Sequence, residues 1–358
     1  MIGSKNSKNT NGLDNNQKGP VLWGWYTYLS IAITIVLFIC LAAMLDLKEI
    51  WREIAATDKK FLLLGGLAHY ATYPVRGLRW RRCLIHLSPT GGTGRFGLLV
   101  FFYNFVDNVV PAKLGDLYGA HLARINCGVR RSASMGSLVF LRMVDAWTVL
   151  LLASLASWIL FSATMTRSVM WSLIGGGIIA VATTFVILVF FLFTNSLARW
   201  LPEKVQQMIH AFRTGISPRP REIIPIALLT VLIWTLETLW IVLLVLAFGM
   251  RLGPTEAVFL TMVPVLASAF PLTPSGAGVV ELTLFSCLRV IGASSPIAVS
   301  VTVVNRFIDY WLHIGLGLLA WAIRQHIGLR TWREVPLEDP RSVTSPGTTL
   351  SGEVFHEN

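Results

Sequence analysis

Charge is what this chain has least of. Only 14% of its 358 residues are Asp, Glu, Lys or Arg, and acids are the scarcer sign, with 19 against 30 bases. A soluble domain carries about 25% charged residues, so that class is excluded. Cysteine is also sparse. Cys40, Cys83, Cys127 and Cys287 lie scattered in or beside apolar segments with no Cys-x-x-Cys, which argues against a disulfide framework and against zinc. His69, His121 and His313 fall in or near membrane segments, and no two sit four apart with an acid between them. Each reads as a satisfied polar residue rather than a metal ligand. Gly-x-Ser-x-Gly, P-loop and dinucleotide fingerprints are all missing. The expectation is therefore a protein that is not an enzyme and needs no metal or cofactor. Gly91-Gly92-Thr93-Gly94 reads as a flexible turn.

What is present is apolar. Hydrophobic residues make up 54% of the chain, and mean hydropathy is +0.62. Several runs are long enough for a helix of roughly 20 residues to cross a bilayer. The run after position 20 is too long for a signal-peptide core and lacks a small-residue cleavage pattern, so it reads as a retained helix. The formal net charge of +11 does not point to nucleic acid, because the bases cluster in short loops beside apolar spans. The positive-inside rule accounts for them, with attraction to anionic headgroups as an added role.

The order of segments predicts an all-α polytopic membrane protein. Residues 1–20 and 326–358 are polar and read as disordered cytoplasmic tails. Between them, 21–325 forms one transmembrane domain. Expected spans are Val21–Leu45, Phe61–Trp80, Ser134–Phe161, Ser168–Phe193, Ile223–Phe248 and Ser300–Ile323, with Ala257–Phe270 running into the second interrupted segment. Asp46–Lys60 has the mixed charge and apolar spacing of an interfacial helix. Phe96–Ala123 and Pro271–Leu288 are interrupted by Pro and Gly and read as re-entrant hairpins. Basic residues at Arg76–Arg82, Arg95, Arg124–Arg131 and within Asn195–Glu222 all fall on one side of this trace. About six full spans and two hairpins result, in a plasma (inner) membrane with both termini cytoplasmic. Repeat one covers about 61–161 and repeat two about 223–323, and tracing orientation makes the repeats inverted.

The repeat rests on specific residues. Arg142-Met143-Val144-Asp145-Ala146-Trp147 recurs as Arg306-Phe307-Ile308-Asp309-Tyr310-Trp311, a spacing of 164. Upstream, Pro111-x-x-x-Gly115-Asp116 is matched by Pro274-x-Gly276-x-Gly278-x-x-Glu281, with Pro and Gly spaced by 163. Intramembrane charges are expensive, and a broken apolar helix must satisfy its freed backbone from protein or water. Two copies of both devices point to a polar site at membrane depth, as in transporters built from repeats.

The residues Asn104-Phe105-Val106-Asp107-Asn108-Val109-Val110-Pro111-Ala112-Lys113-Leu114-Gly115-Asp116 resemble one signature of the lysylphosphatidylglycerol synthetase/flippase transmembrane-region family. Phe270-Pro271-Leu272-Thr273-Pro274-Ser275-Gly276-Ala277-Gly278-Val279-Val280-Glu281 resembles its second signature, with Ser275 where Gly is usual. Arg76-Gly77-Leu78-Arg79-Trp80 is similar to its basic-aromatic stretch. The likeness covers about residues 20–325. It implies a flippase-like domain that handles an amphiphile such as a phospholipid or polyprenyl-linked headgroup. Fused relatives append a soluble aminoacyl transferase domain; with only a short polar tail after Ile323, aminoacyl transfer is not expected as this protein's own activity.

The candidate substrate-binding set is Asn104, Asp107, Asn108, Pro111, Lys113, Gly115, Asp116, Arg142, Asp145, Pro274, Gly276, Gly278, Glu281, Asn305, Arg306 and Asp309. Half-helix ends at the hairpins present partial charges that can hold a phosphate. Arg142 with Asp145, and Arg306 with Asp309, are spaced to pair within one helix. The alternative is that each Arg grips a lipid phosphate while its Asp orients it. Glu237 is a candidate for proton coupling, or else it pairs with a base from the Arg76–Arg82 cluster. Asp107, Asn108 and Lys113 contact a headgroup or cap broken backbone. The function expected is translocation of an anionic amphiphile, with a membrane lipid as substrate. The alternative is a membrane enzyme, or a non-transporting accessory that docks lipid- or glycan-synthesis enzymes.

Overall fold

In a computed structural model the described residues are 47–110, 114–161, 202–268, 276 and 278–330, with most of 170–185. Pro111, Lys113, Pro274, the expected first span Val21–Leu45 and most of Ser168–Phe193 lie outside them. Every regular element among the described residues is helical. In chain order these are α1 (Leu47–Ala55), α2 (Lys59–Cys83), α3 (Thr93–Val109), α4 (Gly115–Cys127), α5 (Arg131–Phe161), α6 (Glu203–Ile216), α7 (Pro220–Ala247), α8 (Pro254–Ala267), α9 (Val279–Val290), α10 (Ser295–Arg306) and α11 (His313–Ala322). A π-helical turn, Phe307–Leu312, joins α10 to α11 without a gap.

Two of these helices, α5 and α7, are long and apolar enough to cross a bilayer unaided. At 31 and 28 residues they reach about 46 and 42 Å. Helix α2 has 25 residues, but Lys59, Lys60, Arg76, Arg79, Arg81 and Arg82 dilute its apolar content. Arg76 and Arg79 turn inward, Arg79 to 3% exposure, while Arg81 and Arg82 stay at the surface. Apolar side chains take the outer faces. Leu63 and Leu67 on α2, Leu151 and Trp158 on α5, and Ile224 and Leu228 on α7 are all more than half exposed. So large an apolar exterior fits lipid rather than water.

The interior divides into two apolar cores. One gathers Val149, Ala153 and Ala156 of α5 with Trp240, Leu244, Phe259, Leu260, Leu284 and Val301 from α7 to α10. The other gathers Trp80, Phe96, Phe102, Leu122, Leu138 and Ala211 from α2 to α6. Helix α5 serves both, its N-terminal half in one core and its C-terminal half in the other. Helices α2 and α7 pack along each other, α3 lies against α4, and α8 lies against α9. Helix α8 also packs on α5, and α3 on α11.

Close backbone approach decides several of these contacts. An ideal Cβ on Gly77 would sit 2.3 Å from the Gly97 backbone nitrogen, so α2 and α3 cross where neither carries a side chain. The basic segment Asn195–Glu222, expected as a loop, contains α6. Its Ala211, Gly215 and Ile216 face is buried, and a Cβ on Gly215 would meet the Ala133 carbonyl of α5. The expected final span starts earlier than Ser300, at Ser295, and carries the π turn midway. Past α11, the Arg330 backbone exchanges hydrogen bonds with the Asn126 side chain of α4, at 2.9 and 3.1 Å.

Two glycines on α2 give opposite expectations. Gly77→Ala overpacks the α2–α3 crossing and costs about 1–3 kcal/mol, whereas Gly66, with nothing within 4 Å of its Cβ position, gains about 0.5–1 kcal/mol of helix propensity on replacement by Ala. Thermal melts in detergent should move down for the first and slightly up for the second. Equal shifts would contradict the crossing described above.

Candidate functional site

The charged side chains of the inner helices collect around one cavity of about 360 Å³. Seven of the candidate residues line it: Asn104, Arg142, Asp145, Glu237, Asn305, Arg306 and Asp309. His69, Thr72, Tyr73 and Arg76 complete its wall from α2. These four residues follow a three-to-four-residue spacing and therefore share one face of that helix.

Arg79, on the same face, anchors the centre. Its two terminal nitrogens donate to Asp145 at 2.6 and 2.7 Å, the two-pronged geometry that a guanidinium and a carboxylate favour. A further bond at 2.9 Å reaches the Thr230 hydroxyl of α7. One side chain thus ties α2, α5 and α7 at mid-length of α5. One turn earlier, Arg76 donates to Glu237 at 2.8 Å and lies 5.8 Å from the Trp234 ring. The other Glu237 oxygen is 3.1 Å from Nδ1 of His69. The opposite ring nitrogen, Nε2, is 3.4 Å from Asp309.

The Arg-x-x-Asp motifs do not pair within themselves. Arg142 reaches Asp116 of α4 at 3.0 and 3.2 Å and Asp107 of α3 at 3.4 Å. Arg306 reaches Glu281 of α9 at 2.8 Å and stacks over Tyr310 at 4.2 Å. In both copies the Arg is held by the acid that follows a Gly-containing break. Pairing across helices gives the acids of the breaks a charge partner, and two of them, Asp107 and Glu281, also accept from backbone N–H groups. The two copies differ in exposure. Arg306 is sealed, with 3% of its side chain exposed, and Arg142 is open at 43%.

The breaks are closed by acids acting on backbone. Asp107 accepts from the Gly115 N–H at 2.7 Å, so it caps α4 from the neighbouring helix. Glu281 accepts from the Gly278 N–H at 2.7 Å, a local cap at a residue whose φ of +87° favours glycine. Gly115 leaves no room for a side chain, since a Cβ there would lie 2.2 Å from the Tyr103 carbonyl. The Asn108 carbonyl accepts from Tyr310 at 3.1 Å, which links the first break to the second motif. Asn305 accepts from the Trp240 indole at 3.1 Å, and the Asn104 side chain donates to its own helix at Val100. Gly276 has a φ of +67°.

The π turn sets the second Asp apart. An inserted residue in a π turn rotates the following face, and 43% of the Asp309 side chain is exposed against 14% for Asp145. Sequence reasoning left out Arg79, Thr230 and the role of His69. Their signal was the polar stripe at His69, Thr72, Tyr73, Arg76 and Arg79 within an otherwise apolar helix.

Comparison with known proteins finds similarity to membrane proteins. A UPF0104 membrane protein of Methanocaldococcus jannaschii is 26% identical over 220 residues, 61% of this chain and 94% of its own. A UPF0104 membrane protein of Pyrococcus horikoshii is 21% identical over 325 residues, covering 81% and 95%. The glycosyltransferase AglD of Haloferax volcanii is 20% identical over 311 residues, 75% of this chain and 49% of its own length. The profile of the family described as the lysylphosphatidylglycerol synthase TM region matches residues 28–317. A match over most of the chain, joined to an apolar exterior and a charged interior, makes this an integral membrane protein of the lysylphosphatidylglycerol synthase TM-region family.

Proposed function

We propose that the protein moves an anionic amphiphile between leaflets, taking the headgroup through the cavity while the tails stay in lipid. The observation that carries this reading is the cavity itself, a polar space of about 360 Å³ enclosed by helices whose outer faces suit hydrocarbon. Its wall offers a half-exposed Arg142, a planar donor suited to a phosphate. Arg306 is sealed beneath Glu281 and Tyr310, so its part is to position α9 and α10 rather than to meet the substrate.

Helix lengths support re-entrant hairpins. Helices α3, α4, α8 and α9 have 17, 13, 14 and 12 residues, or about 18–26 Å each, against a hydrocarbon core of about 30 Å. A Pro/Gly-containing segment separates the members of each pair in sequence, and the acid that follows it is held by an Arg of a later helix, Arg142 of α5 and Arg306 of α10. In the inverted-repeat reading, rocking one unit against the other exposes Arg142 alternately to the two sides. The basic ends of α2 and α4 lie at the cytoplasmic face of a plasma membrane, by the charge bias. On this reading no bond is made or broken in the lipid.

Leaflet exchange of fluorescent phosphatidylglycerol in proteoliposomes tests the proposal. Arg142→Gln should slow exchange about tenfold or more, the worth of one charged hydrogen bond, in protein that remains folded. Unchanged exchange in this variant, or none in the intact chain, contradicts it. Arg79 separates structure from transport. Arg79→Ala leaves Asp145 buried without its partner and should cost about 3–5 kcal/mol of stability. Arg79→Ala with Asp145→Ala should recover much of that, by thermal melt, and a double variant as unstable as the single would show that the pair is not the anchor.

A further inference from the structure

The proton arithmetic of His69 has a consequence for how the cavity works. Glu237 already accepts from Arg76, and as a carboxylate it can only accept from its second neighbour as well. Nδ1 of His69, 3.1 Å away, must therefore carry the hydrogen. That choice fixes the tautomer of a neutral ring and leaves the Nε2 lone pair facing Asp309 at 3.4 Å. Two lone pairs facing each other at that distance repel, so the empty pair favours binding one proton between them. Asp309 holds it as the acid, or His69 holds it as imidazolium.

The surroundings favour an exchangeable proton over a fixed one. His69 is buried, with 6% of its side chain exposed, while Asp309 opens to the cavity. From α7, Glu237 faces the ring; from the π turn, Asp309; and α2 itself contributes Arg76, Tyr70 and Tyr73. Helix α11 contributes His313, which is engaged with the Tyr73 hydroxyl at 3.0 Å. Around the cavity, the guanidiniums of Arg76, Arg79, Arg142 and Arg306 face the carboxyls of Asp107, Asp116, Asp145, Glu237, Glu281 and Asp309. The wall of the cavity carries Arg76, Arg142 and Arg306 against Asp145, Glu237 and Asp309, so its fixed charges balance while His69 is neutral. An anionic headgroup entering that balanced wall adds an uncompensated negative charge unless positive charge arrives with it.

We propose that His69 and Asp309 form the proton-binding site of this cavity, taking up the proton that offsets the charge of the headgroup. This rests on the translocation reading for its purpose, though not for the site itself. A proton from the cavity binds the Asp309 carboxylate and passes from Oδ1 to Nε2 of neutral His69. Asp309 returns to carboxylate, and the ring becomes an imidazolium that donates to Asp309 and Glu237 together. Glu237 holds the ring in place and does not itself exchange. The π turn is what presents Asp309 to both the ring and the cavity.

Nitrogen NMR on the full chain labelled with ¹⁵N-histidine, in phosphatidylglycerol–phosphatidylcholine nanodiscs, reads the site directly. One imidazole should keep Nδ1 protonated at every pH while its Nε2 gains and loses a proton. His69→Gln should remove that signal, and Asp309→Asn should abolish Nε2 protonation over the range where the intact chain titrates. A ring whose Nδ1 loses the proton instead, or a titration untouched by Asp309→Asn, would overturn the proposal. In proteoliposomes, a pH gradient should speed fluorescent phosphatidylglycerol exchange by the intact chain in one direction, and His69→Gln should lose that response. Exchange by the intact chain that ignores the gradient also counts against coupling. A chain that exchanges no lipid at all sinks the translocation reading, and the NMR pattern still decides the proton site.

Discussion

A charge removed from water is tolerable only beside its partner, and that requirement organises this protein. Arg79 and Asp145, at 2.6 and 2.7 Å, set the pattern at the centre. The pair joins two helices whose outer faces are apolar, and Thr230 brings in a third. Because neither member can be left alone in a low-dielectric interior without a large penalty, α2, α5 and α7 hold a common register. The remaining pairs build outward from that layer. Arg76 with Glu237 continues along α2 and α7, while Arg142 and Arg306 reach sideways to the acids at the helix breaks.

Backbone satisfaction is the second constraint, and it uses the same acids. Asp107 and Glu281 each accept from a glycine N–H at a break and also lie beside an Arg. A carboxylate has room for both, since it offers two oxygens with about four lone-pair sites. The breaks and the charged layer therefore stand or fall together. Glycine is needed where this happens because the chain passes too close to a neighbour for a side chain, as at Gly115, or turns through positive φ, as at Gly278.

Much of this was legible in the residues. Composition announced the membrane, the two Pro/Gly breaks marked the ends of short helices, and the repeated Arg-x-x-Asp motif marked one cavity. Glu237 was given two readings, and the structure shows it paired with Arg76. What stayed hidden were partners. Spacing of three within a helix suggested Arg142 with Asp145 and Arg306 with Asp309, yet every one of these groups finds its partner on another helix. Local spacing reports which residues share a face and says nothing about what that face meets. Arg76 and Arg79 resembled part of a loop cluster because Arg81 and Arg82 follow them. Only the helical stripe from His69 separates the inward bases from the outward ones. The π turn leaves no mark in composition at all, and it is what distinguishes Asp309 from Asp145.

If the charged layer is the proposed passage, it opens in turn to each side of the membrane. Ala146 lines the cavity beside Asp145, and its replacement by Cys adds one thiol to that wall. In a chain with its four native cysteines replaced, Ala146→Cys in sealed vesicles of known orientation can be challenged with a membrane-impermeant maleimide from either face. A passage should be labelled from both faces, each suppressed by locking the opposite state. Labelling from one face alone would make the cavity a blind pocket and contradict the claim.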